Sequence, residues 1–386
     1  MSYSPDLSFI YFAPTKVVYG VGSVSELPME VSNLGKRVVL VTDRGICDAG
    51  LVDEVRDILG DSLAGIFADV PQDTGMEVCD RGAEYAGSVG ADVLVSLGGG
   101  SVIDTAKGMS IIMTEGGSLR DFQGMQMLTR PQTPHIVIPT TAGTGSEVTS
   151  AAVVLNRKQG QKIIIYEYHI TPRVAILDPR MTEKLPAHLT ASTGMDALTH
   201  GIESYTSNAR NPISDAVALR AMRLISHALP QAVEEPSDMM ARGQMQVAAL
   251  LAGWAFSNAL LGLVHAMAHS IGAVRGIPHG LANGLFLPHV MRFNLEEVPG
   301  LMADIAEAMG VNIHGMEPLE AGKAGVAAIE ALQDRIRLPR RLRDIGVQEE
   351  DLKKAAELAM SDGSVVYNPR MVLSSDEVLE VYRKAY

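Results

Sequence analysis

Short apolar runs rich in β-branched residues alternate with stretches of helical periodicity in the first half of the chain. The runs at 37–43, 64–70, 91–100 and 135–145 each predict a strand, and the segment at 76–90 predicts a helix. Strands that alternate with helices are typical of strand–helix–strand units, in which neighbouring strands run parallel. This half is therefore predicted to form an α/β domain around a largely parallel sheet.

The pattern changes twice further along the chain. Residues 151–167 contain two β-rich runs around a glycine, which predicts a hairpin, and the apolar run at 173–179 predicts a return to the sheet. After Pro186, segments rich in Ala, Leu and Met with helical spacing continue to the C-terminus. We therefore predict an α/β domain at 1–186 and an all-helical domain at 187–386.

One apolar window, at 248–264, is nearly long enough to resemble a membrane span. It contains Ser257 and Asn258, and His265 and His269 follow it closely. Because polar side chains of this kind are expensive in a bilayer, the window is predicted to be a buried core helix.

Composition and charge narrow the class of protein. A chain of 386 residues exceeds the usual size of one hydrophobic core, and 47% hydrophobic with 20% charged residues is typical of folded globular proteins. The formal net charge of -13 opposes binding to phosphate backbones and anionic membrane surfaces, so neither nucleic acid nor membrane is expected as a partner. With Cys47 and Cys79 as the only cysteines and no signal-peptide pattern at the start, a cytoplasmic location is expected.

The motif LGGGSVIDTAKG has the composition of an anion-binding turn. Gly98, Gly99 and Gly100 end a predicted strand, and Ser101 is expected to open and cap a helix. Glycines allow a pyrophosphate to approach the backbone, where the amides and the dipole at the helix start can hold it. The alternative is a tight strand–helix turn without a ligand.

A second loop, PTTAGTGSE at 139–147, also follows a predicted strand. Its hydroxyls and amides suit phosphate and ribose, although an ordinary Ser/Thr/Gly turn has the same composition. Two such loops at strand ends in one α/β domain favour a dinucleotide, which has two phosphates to bind.

Asp43 ends the first clear strand. From that position an acidic side chain commonly accepts hydrogen bonds from an adenosine ribose and would repel a ribose phosphate, which favours NAD over NADP. The alternative is that Asp43 simply begins a turn.

The helical half contains five candidate metal ligands. Asp196 and His200 are four residues apart, as are His265 and His269, so each pair lies on one face of a helix, and His279 begins a glycine-containing turn. A single histidine is more often a structural residue, but burying several imidazoles in such an apolar stretch without a strong partner is costly. A carboxylate with neutral imidazoles suits iron(II) or zinc, and an open coordination position would make the site catalytic.

Six motifs between residues 37 and 294 together resemble one family: GGGSVID, TTAGTGSEVT, AILDP, GMDALTHGIESY, FSNALLGLVHAMAHSIGA and PHGLANGLFLPHVMRFN. The chain is similar to the iron-containing (group III) alcohol dehydrogenases, and most of all to their lactaldehyde and propanediol oxidoreductase members. The resemblance implies the dehydroquinate synthase-like fold, in which a dinucleotide-binding α/β domain precedes an all-helical domain and the active site lies between them.

The same resemblance implies roles for individual residues. Metal ligands would be Asp196, His200, His265 and His279, whereas His269 would contact the cofactor or transfer a proton. The implied cofactor contacts are Asp43 at the adenosine ribose, Gly98, Gly99, Gly100, Ser101 and Asp104 at the pyrophosphate, Thr140, Thr141 and Thr144 opposite them, and Lys162, Met181 and Leu185. Phe256 and Ala151 are candidates for the substrate pocket, and both could equally be plain core residues.

The implied activity is the NAD-linked interconversion of small primary alcohols or diols and aldehydes at iron(II), with zinc as the other possible metal, in a homodimer or an assembly of dimers. The nearest alternative is a zinc-dependent glycerol dehydrogenase-like enzyme or a dehydroquinate synthase on the same fold. An alternative of another class is a non-catalytic nucleotide-binding or metal-storage protein, in which the loops and the histidine cluster would be unrelated.

Overall fold

The computed structural model describes residues 7–157 and 161–386, which form two compact units. One unit comprises residues 12–185, and the other comprises residues 7–11 and 186–386. The sequence placed residues 7–11 in the α/β domain, but they group with the helical unit. This segment has no regular secondary structure, so periodicity could not assign it.

A parallel sheet forms the core of the α/β unit, as the alternating pattern predicts. The strands of the described chain are β1 (Lys16–Tyr19), β2 (Val38–Val41), β3 (Leu63–Phe67), β4 (Val93–Gly98), β5 (Gly124–Met125), β6 (His135–Pro139), β7 (Ala151–Asn156), β8 (Gln161–Tyr166) and β9 (Val174–Leu177). Six of them pair in the order β1-β9-β6-β4-β2-β3, with every pair parallel. β2 and β4 are buried at every position, which shows that both faces of the sheet are covered there.

The helices of this unit are α1 (Leu27–Ser32), α2 (Arg44–Asp48), α3 (Leu51–Leu59), α4 (Met76–Ser88) and α5 (Gly100–Glu115). The predicted hairpin is present: β7 and β8 are antiparallel and, with β5, form a separate three-stranded sheet. Residues 158–160, which include the glycine of the predicted turn, lie outside the described residues.

Two strand ends bring the two glycine-containing loops side by side. β4 and β6 are neighbours, and Gly98 at the end of β4 is in register with Pro139 at the end of β6. The amide of Thr140 donates a hydrogen bond to the Gly98 carbonyl at 3.1 Å. Because the carboxyl ends of parallel strands are where α/β sheets bind ligands, this edge is the expected place for a dinucleotide.

The second unit is helical throughout its regular structure. Its helices are α6 (Ala187–Thr206), α7 (Pro212–Glu234), α8 (Met239–Ala259), α9 (Leu263–Arg275), α10 (His279–Asn294), α11 (Pro299–Ala308), α12 (Pro318–Arg335), α13 (Glu349–Ala359) and α14 (Ser375–Ala385). The predicted change from α/β structure to all-helical structure is therefore confirmed.

The apolar window at 248–264 is not one helix, as the sequence suggested, but parts of two. The break follows α8, where Leu260 has a left-handed backbone with φ of 63°. No single helix among the described residues is long and apolar enough to cross a bilayer. Only α8 and α9 together pass that test, and they are bent by 100° at the break.

Candidate metal centre and dinucleotide loops

Four of the five candidate ligands converge in the helical unit. Asp196 and His200 lie one turn apart on α6, His265 lies in the first turn of α9, and His279 is the first residue of α10. One ligand atom from each lies within 4.8 Å of all the others. The first three are buried and the His279 side chain is 33% exposed, so the cluster is open on one side.

Glu203, which the sequence did not single out, orients His265. One carboxylate oxygen accepts a hydrogen bond from the Val264 amide at 2.6 Å, and the other lies 2.6 Å from Nδ1 of His265. A carboxylate at this position keeps the imidazole proton on Nδ1 and leaves the Nε2 lone pair available to a metal. Burial raises the pKa of Glu203 to about 7, and burial together with the His200 ring holds the pKa of His265 well below its ordinary value.

The break between α8 and α9 makes this contact possible. Since α9 begins directly after the break, the amides of Leu263 and Val264 at its start have no helical acceptor and take side-chain acceptors instead. Val264 uses Glu203, and Leu263 donates to Asn368 Oδ1 at 3.3 Å. The helix start and the imidazole of His265 are thus held by the same carboxylate.

Asn283 lies one turn after His279 on α10 and points its amide nitrogen into the cluster. Nδ2 is 2.7 Å from Asp196 Oδ1 and 3.1 Å from Nε2 of both His265 and His279. An amide nitrogen has two hydrogens, so it cannot satisfy three acceptors, and the cluster keeps a surplus of lone pairs. This surplus fits a divalent cation.

The charge of the cluster also fits a cation. Burial alone would raise the pKa of Asp196, but the histidines around it, with the bond from Asn283, hold that pKa below its ordinary value. The carboxylate form and the neutral imidazole of His265 are the protonation states that metal ligands require. A carboxylate with three imidazoles is a donor set that suits iron(II) or zinc.

His269 lies beside the four converging residues rather than among them. Its ring centroid is 5.1 Å from that of His279 and 5.9 Å from that of His265, and its Nδ1 lies 2.7 Å from Asp362 Oδ2. Burial opposes ionisation of Asp362, but the bond to His269 lowers the pKa of this carboxyl far below its usual range. Nδ1 therefore donates to Asp362, and Nε2 is left for another partner. The role of His269 in proton transfer stays a prediction.

Phe256, a predicted pocket residue, borders the cluster from α8. Its ring stacks on His200 with centroids 4.3 Å apart, and it is partly exposed. The other pocket candidate, Ala151, is partly exposed at the start of β7. Whether either limits the size of a substrate stays a prediction.

The two predicted dinucleotide loops touch each other in the α/β unit. A Cβ on Gly100 would lie 2.8 Å from Thr144 Cγ2, so a side chain there would push the loops apart, and one on Gly99 would make a tight contact of 3.2 Å with Thr141 Cγ2. Thr140 is buried, whereas Thr141 and Thr144 are partly exposed.

The expectation that Ser101 caps the helix is wrong. α5 begins at Gly100 with Gly99 as its N-cap, and no side chain caps it. Ser101 therefore lies inside the first turn. A helix start without a side-chain cap offers its amides to an anion, which suits a phosphate better than the predicted cap would.

Asp43 caps the start of α2, which agrees with the alternative that it begins a turn. Its Oδ1 accepts a hydrogen bond from the Ile46 amide at 3.0 Å. Since a carboxylate can accept several hydrogen bonds, capping is compatible with a ribose contact, which stays a prediction.

The remaining cofactor candidates differ in their surroundings. Met181 is 1% exposed within the core, which favours packing over a cofactor contact. Leu185 is partly exposed, and Lys162 forms an ion pair with Asp73 at 2.8 Å. Asp104 uses its carboxylate inside the unit, where it bonds Ser146.

Comparisons with known proteins cover nearly the whole chain. Residues 14–179 match the iron-containing alcohol dehydrogenase model, and residues 190–386 match the C-terminal model of the Fe-containing alcohol dehydrogenase family. The chain is 42% identical to a 1,3-propanediol dehydrogenase of Klebsiella pneumoniae, over 98% of this chain and 99% of that protein. It is 38% identical to an NAD-dependent methanol dehydrogenase of Bacillus methanolicus, over 95% of this chain and 97% of that protein.

A crystal structure of a 1,3-propanediol oxidoreductase has the same fold. Its TM-score is 0.96 at 41% identity, and the match covers 98% of this chain and all of that one. At this identity and coverage, both the predicted fold class and the resemblance drawn from the six motifs are confirmed. The protein belongs to the iron-containing alcohol dehydrogenase family.

Proposed function

We propose that this protein is an NAD-linked alcohol dehydrogenase that interconverts small primary alcohols or diols and aldehydes at a divalent iron centre. The observation that carries the proposal is the convergence of Asp196, His200, His265 and His279, with ligand atoms within 4.8 Å of one another. The names of the similar proteins, a 1,3-propanediol dehydrogenase and an NAD-dependent methanol dehydrogenase, support the class of substrate and the cofactor.

When bound, the cation would polarise the oxygen of the alcohol or aldehyde, and NAD would accept or return the hydride. Other residues of the chain orient the side chains that would hold the cation. Glu203 holds His265 with its Nε2 lone pair toward the cluster, and Asn283 holds Asp196 Oδ1 from α10. Asp196 and His265 are both buried, which excludes water from their side of the site.

A proton must leave when an alcohol is oxidised, and we assign its uptake to His269. Its Nδ1 is held by Asp362, so Nε2 is the nitrogen that can accept a proton. Asp362 would stabilise the resulting imidazolium, because its carboxylate is already ionised.

The test is turnover with defined metals. Protein purified without oxygen is stripped, reloaded with Fe²⁺ or Zn²⁺, and assayed by NADH absorbance with ethanol, 1,2-propanediol, 1,3-propanediol and glycerol. We expect activity with the primary alcohols and diols in the iron form. Activity confined to the zinc form and to glycerol would favour the polyol enzyme, and no turnover with any alcohol or aldehyde would favour a binding protein.

Asp43→Asn is expected to narrow the preference for NAD over NADP by about 10-fold or more, because it removes a charge that would repel the ribose phosphate. Asparagine is as good an N-cap as aspartate, so the bond to the Ile46 amide should survive. The measurement is kcat/KM for both cofactors. Asp43→Gly should shift the ratio of the two kcat/KM values in the same direction. An unchanged ratio in both variants would show that Asp43 does not set the cofactor preference.

We also propose a homodimer that pairs through the α/β unit. Among the described residues, β1 at the edge of the sheet has a strand neighbour on one side alone, β9. Three large apolar side chains near it are more than half exposed: Tyr19, Val21 and Met29. An unpaired edge with apolar neighbours is a surface that natural proteins usually cover.

Val21→Asp is therefore expected to shift the protein toward monomer, because a carboxylate would be buried at the pairing surface. Sedimentation velocity over a range of concentrations measures the shift. Val366→Asp, which alters a similarly exposed valine of the helical unit, is the matched control. If both variants sediment as the wild type does, β1 is not the pairing edge.

A further inference from the structure

A buried asparagine near the C-terminus lies where the three helices that carry the candidate metal ligands come together. Asn368 follows the short 3-10 turn at Gly363–Tyr367 and is 2% exposed. The ligands lie on α6, α9 and α10. The chemistry proposed above gives Asn368 no part, yet its contacts reach an end of each of these helices.

The side chain of Asn368 joins the start of α9 to the end of α10. Oδ1 accepts hydrogen bonds from the Leu263 amide at 3.3 Å and from Asn294 Nδ2 at 3.0 Å. Nδ2 donates to Asn294 Oδ1 at 2.7 Å and to the Arg370 carbonyl at 2.7 Å. A carboxamide has two acceptor lone pairs and two hydrogens, so every hydrogen-bonding position of Asn368 is used. Leu263 is the first residue of α9 and Asn294 is the last of α10.

The backbone at Asn368 brings the end of α6 to the same point. Asn208, two residues beyond α6, donates from Nδ2 to the Asn368 carbonyl at 2.8 Å and from its amide to the Tyr367 carbonyl at 3.0 Å. Since α6 carries Asp196 and His200, all three ligand-bearing helices are joined through this one residue and its neighbour.

The start of α9 is closely packed at this junction. Gly262 is the N-cap of α9, and a Cβ there would lie 3.1 Å from Asn368 Oδ1 and 3.1 Å from Glu203 Oε1. The same two side chains accept from the first two amides of α9. His265 is the next residue, so a shift of these amides would move its imidazole directly. Site residues need to be held within about 0.5 Å of their working geometry.

Capping alone does not explain the contacts of Asn368. A cap for α9 needs only the bond from Leu263. The paired bonds with Asn294 add nothing to that cap, but they fix α9 relative to α10. A buried polar network whose members are all satisfied specifies one packing arrangement, which apolar residues of the same size would not do as strictly.

We propose that Asn368 is a positioning residue for the metal centre, which sets α9 against α6 and α10 so that His265 meets the ligands of the other two helices. The proposal rests on the proposed function, because it concerns the metal site of that function. Asn368 does not coordinate the metal in this scheme and acts through the helix ends that it joins.

The test is Asn368→Ala, with Co²⁺ as the probe. We expect the Kd for Co²⁺, measured by competition with a coloured chelator, to rise by about 10-fold or more, the lower end of what the loss of a supporting contact to a ligating histidine costs. The visible absorption of bound Co²⁺ depends on the number and geometry of its ligands. Its intensity should therefore change as well, because His265 is no longer held in place.

Asn211→Ala is the matched control. Asn211 is also a buried asparagine at a helix start, 0% exposed. Its Oδ1 caps α7 by accepting from the amides of Ile213 and Ser214, and its Nδ2 donates to the Asn258 carbonyl on α8. Neither α7 nor α8 carries one of the four ligands.

We expect Asn211→Ala to lower the melting temperature of the metal-free protein, since a helix cap is lost, but to keep the wild-type Kd and absorption of Co²⁺. If this control raises the Kd as much as Asn368→Ala does, a general loosening of the helical unit explains both results. The positioning role would then be wrong.

Two further outcomes separate this proposal from the proposed function. A folded Asn368→Ala with the wild-type Kd for Co²⁺ overturns the positioning role, whereas a wild-type protein that binds no metal overturns the proposed function instead. If Asn368→Ala does not fold, Asn294→Ala removes the link to α10 alone. That variant should also raise the Kd for Co²⁺, and an unchanged Kd would contradict the proposal.

Discussion

Replacing His265 by alanine is expected to abolish bound metal and to lower kcat/KM by about 1,000-fold or more, which corresponds to several kcal/mol of lost Lewis-acid stabilisation. The variant removes one of four converging ligand atoms and also leaves Glu203 buried without its imidazole partner. NAD binding should largely survive, because the predicted loops belong to the α/β unit. Metal analysis, NAD titration and NADH absorbance measure the three quantities separately.

His289→Ala is the control for this variant. His289 lies nearly three turns beyond His279 on α10 and is not one of the four residues whose ligand atoms converge. It should keep its metal and its turnover. Normal metal content and activity in His265→Ala would remove His265 from the set of ligands and would leave the proposed centre without support.

The second large effect is expected from Glu203→Gln, which keeps the shape of the side chain. The amide oxygen can still accept from Val264, but the NH2 group then faces His265 Nδ1, which itself donates. The imidazole must turn or move its proton to Nε2, the nitrogen that should hold the metal. We expect metal affinity to fall about 10- to 100-fold, as is usual when the partner of a ligating histidine is lost.

Asp304→Asn provides the comparison for Glu203→Gln. Asp304 accepts a 2.6 Å hydrogen bond from Tyr205, which lies on α6 two residues beyond Glu203. This bond has the same character and does not reach the cluster. Competition with a coloured chelator measures the metal Kd of both variants. Should Glu203→Gln bind metal as tightly as Asp304→Asn does, the carboxylate is not what orients His265.

The sequence pattern predicted the sheet and the helical half because both depend on local periodicity. It also predicted four residues of the cluster, since Asp196 and His200 share one face of a helix and the family motifs contain the other two. The same spacing could have identified Glu203, three residues after His200, and Asn283, four after His279. Carboxylate and amide side chains at such spacing are too common on helices for the pattern alone to assign them a role.

Two features lay beyond local patterns. Asp362 approaches His269 across 93 residues of sequence, and nothing near either residue signals the contact. The break at Leu260 interrupts a stretch without proline, and it is stabilised by acceptors from elsewhere, Glu203 and Asn368. Both features arise from tertiary packing, which overrides helix propensity.

The ligands come from α6, α9 and α10, which begin at residues 187, 263 and 279. A cation held by all three would act as a crosslink, and an ion bound to the folded chain alone adds to the free energy of unfolding as its free concentration rises. The melting temperature would then depend on the concentration of free metal. Scarcity of the metal would lower activity in two ways. Protein without metal would be inactive, and a larger unfolded fraction would be degraded faster.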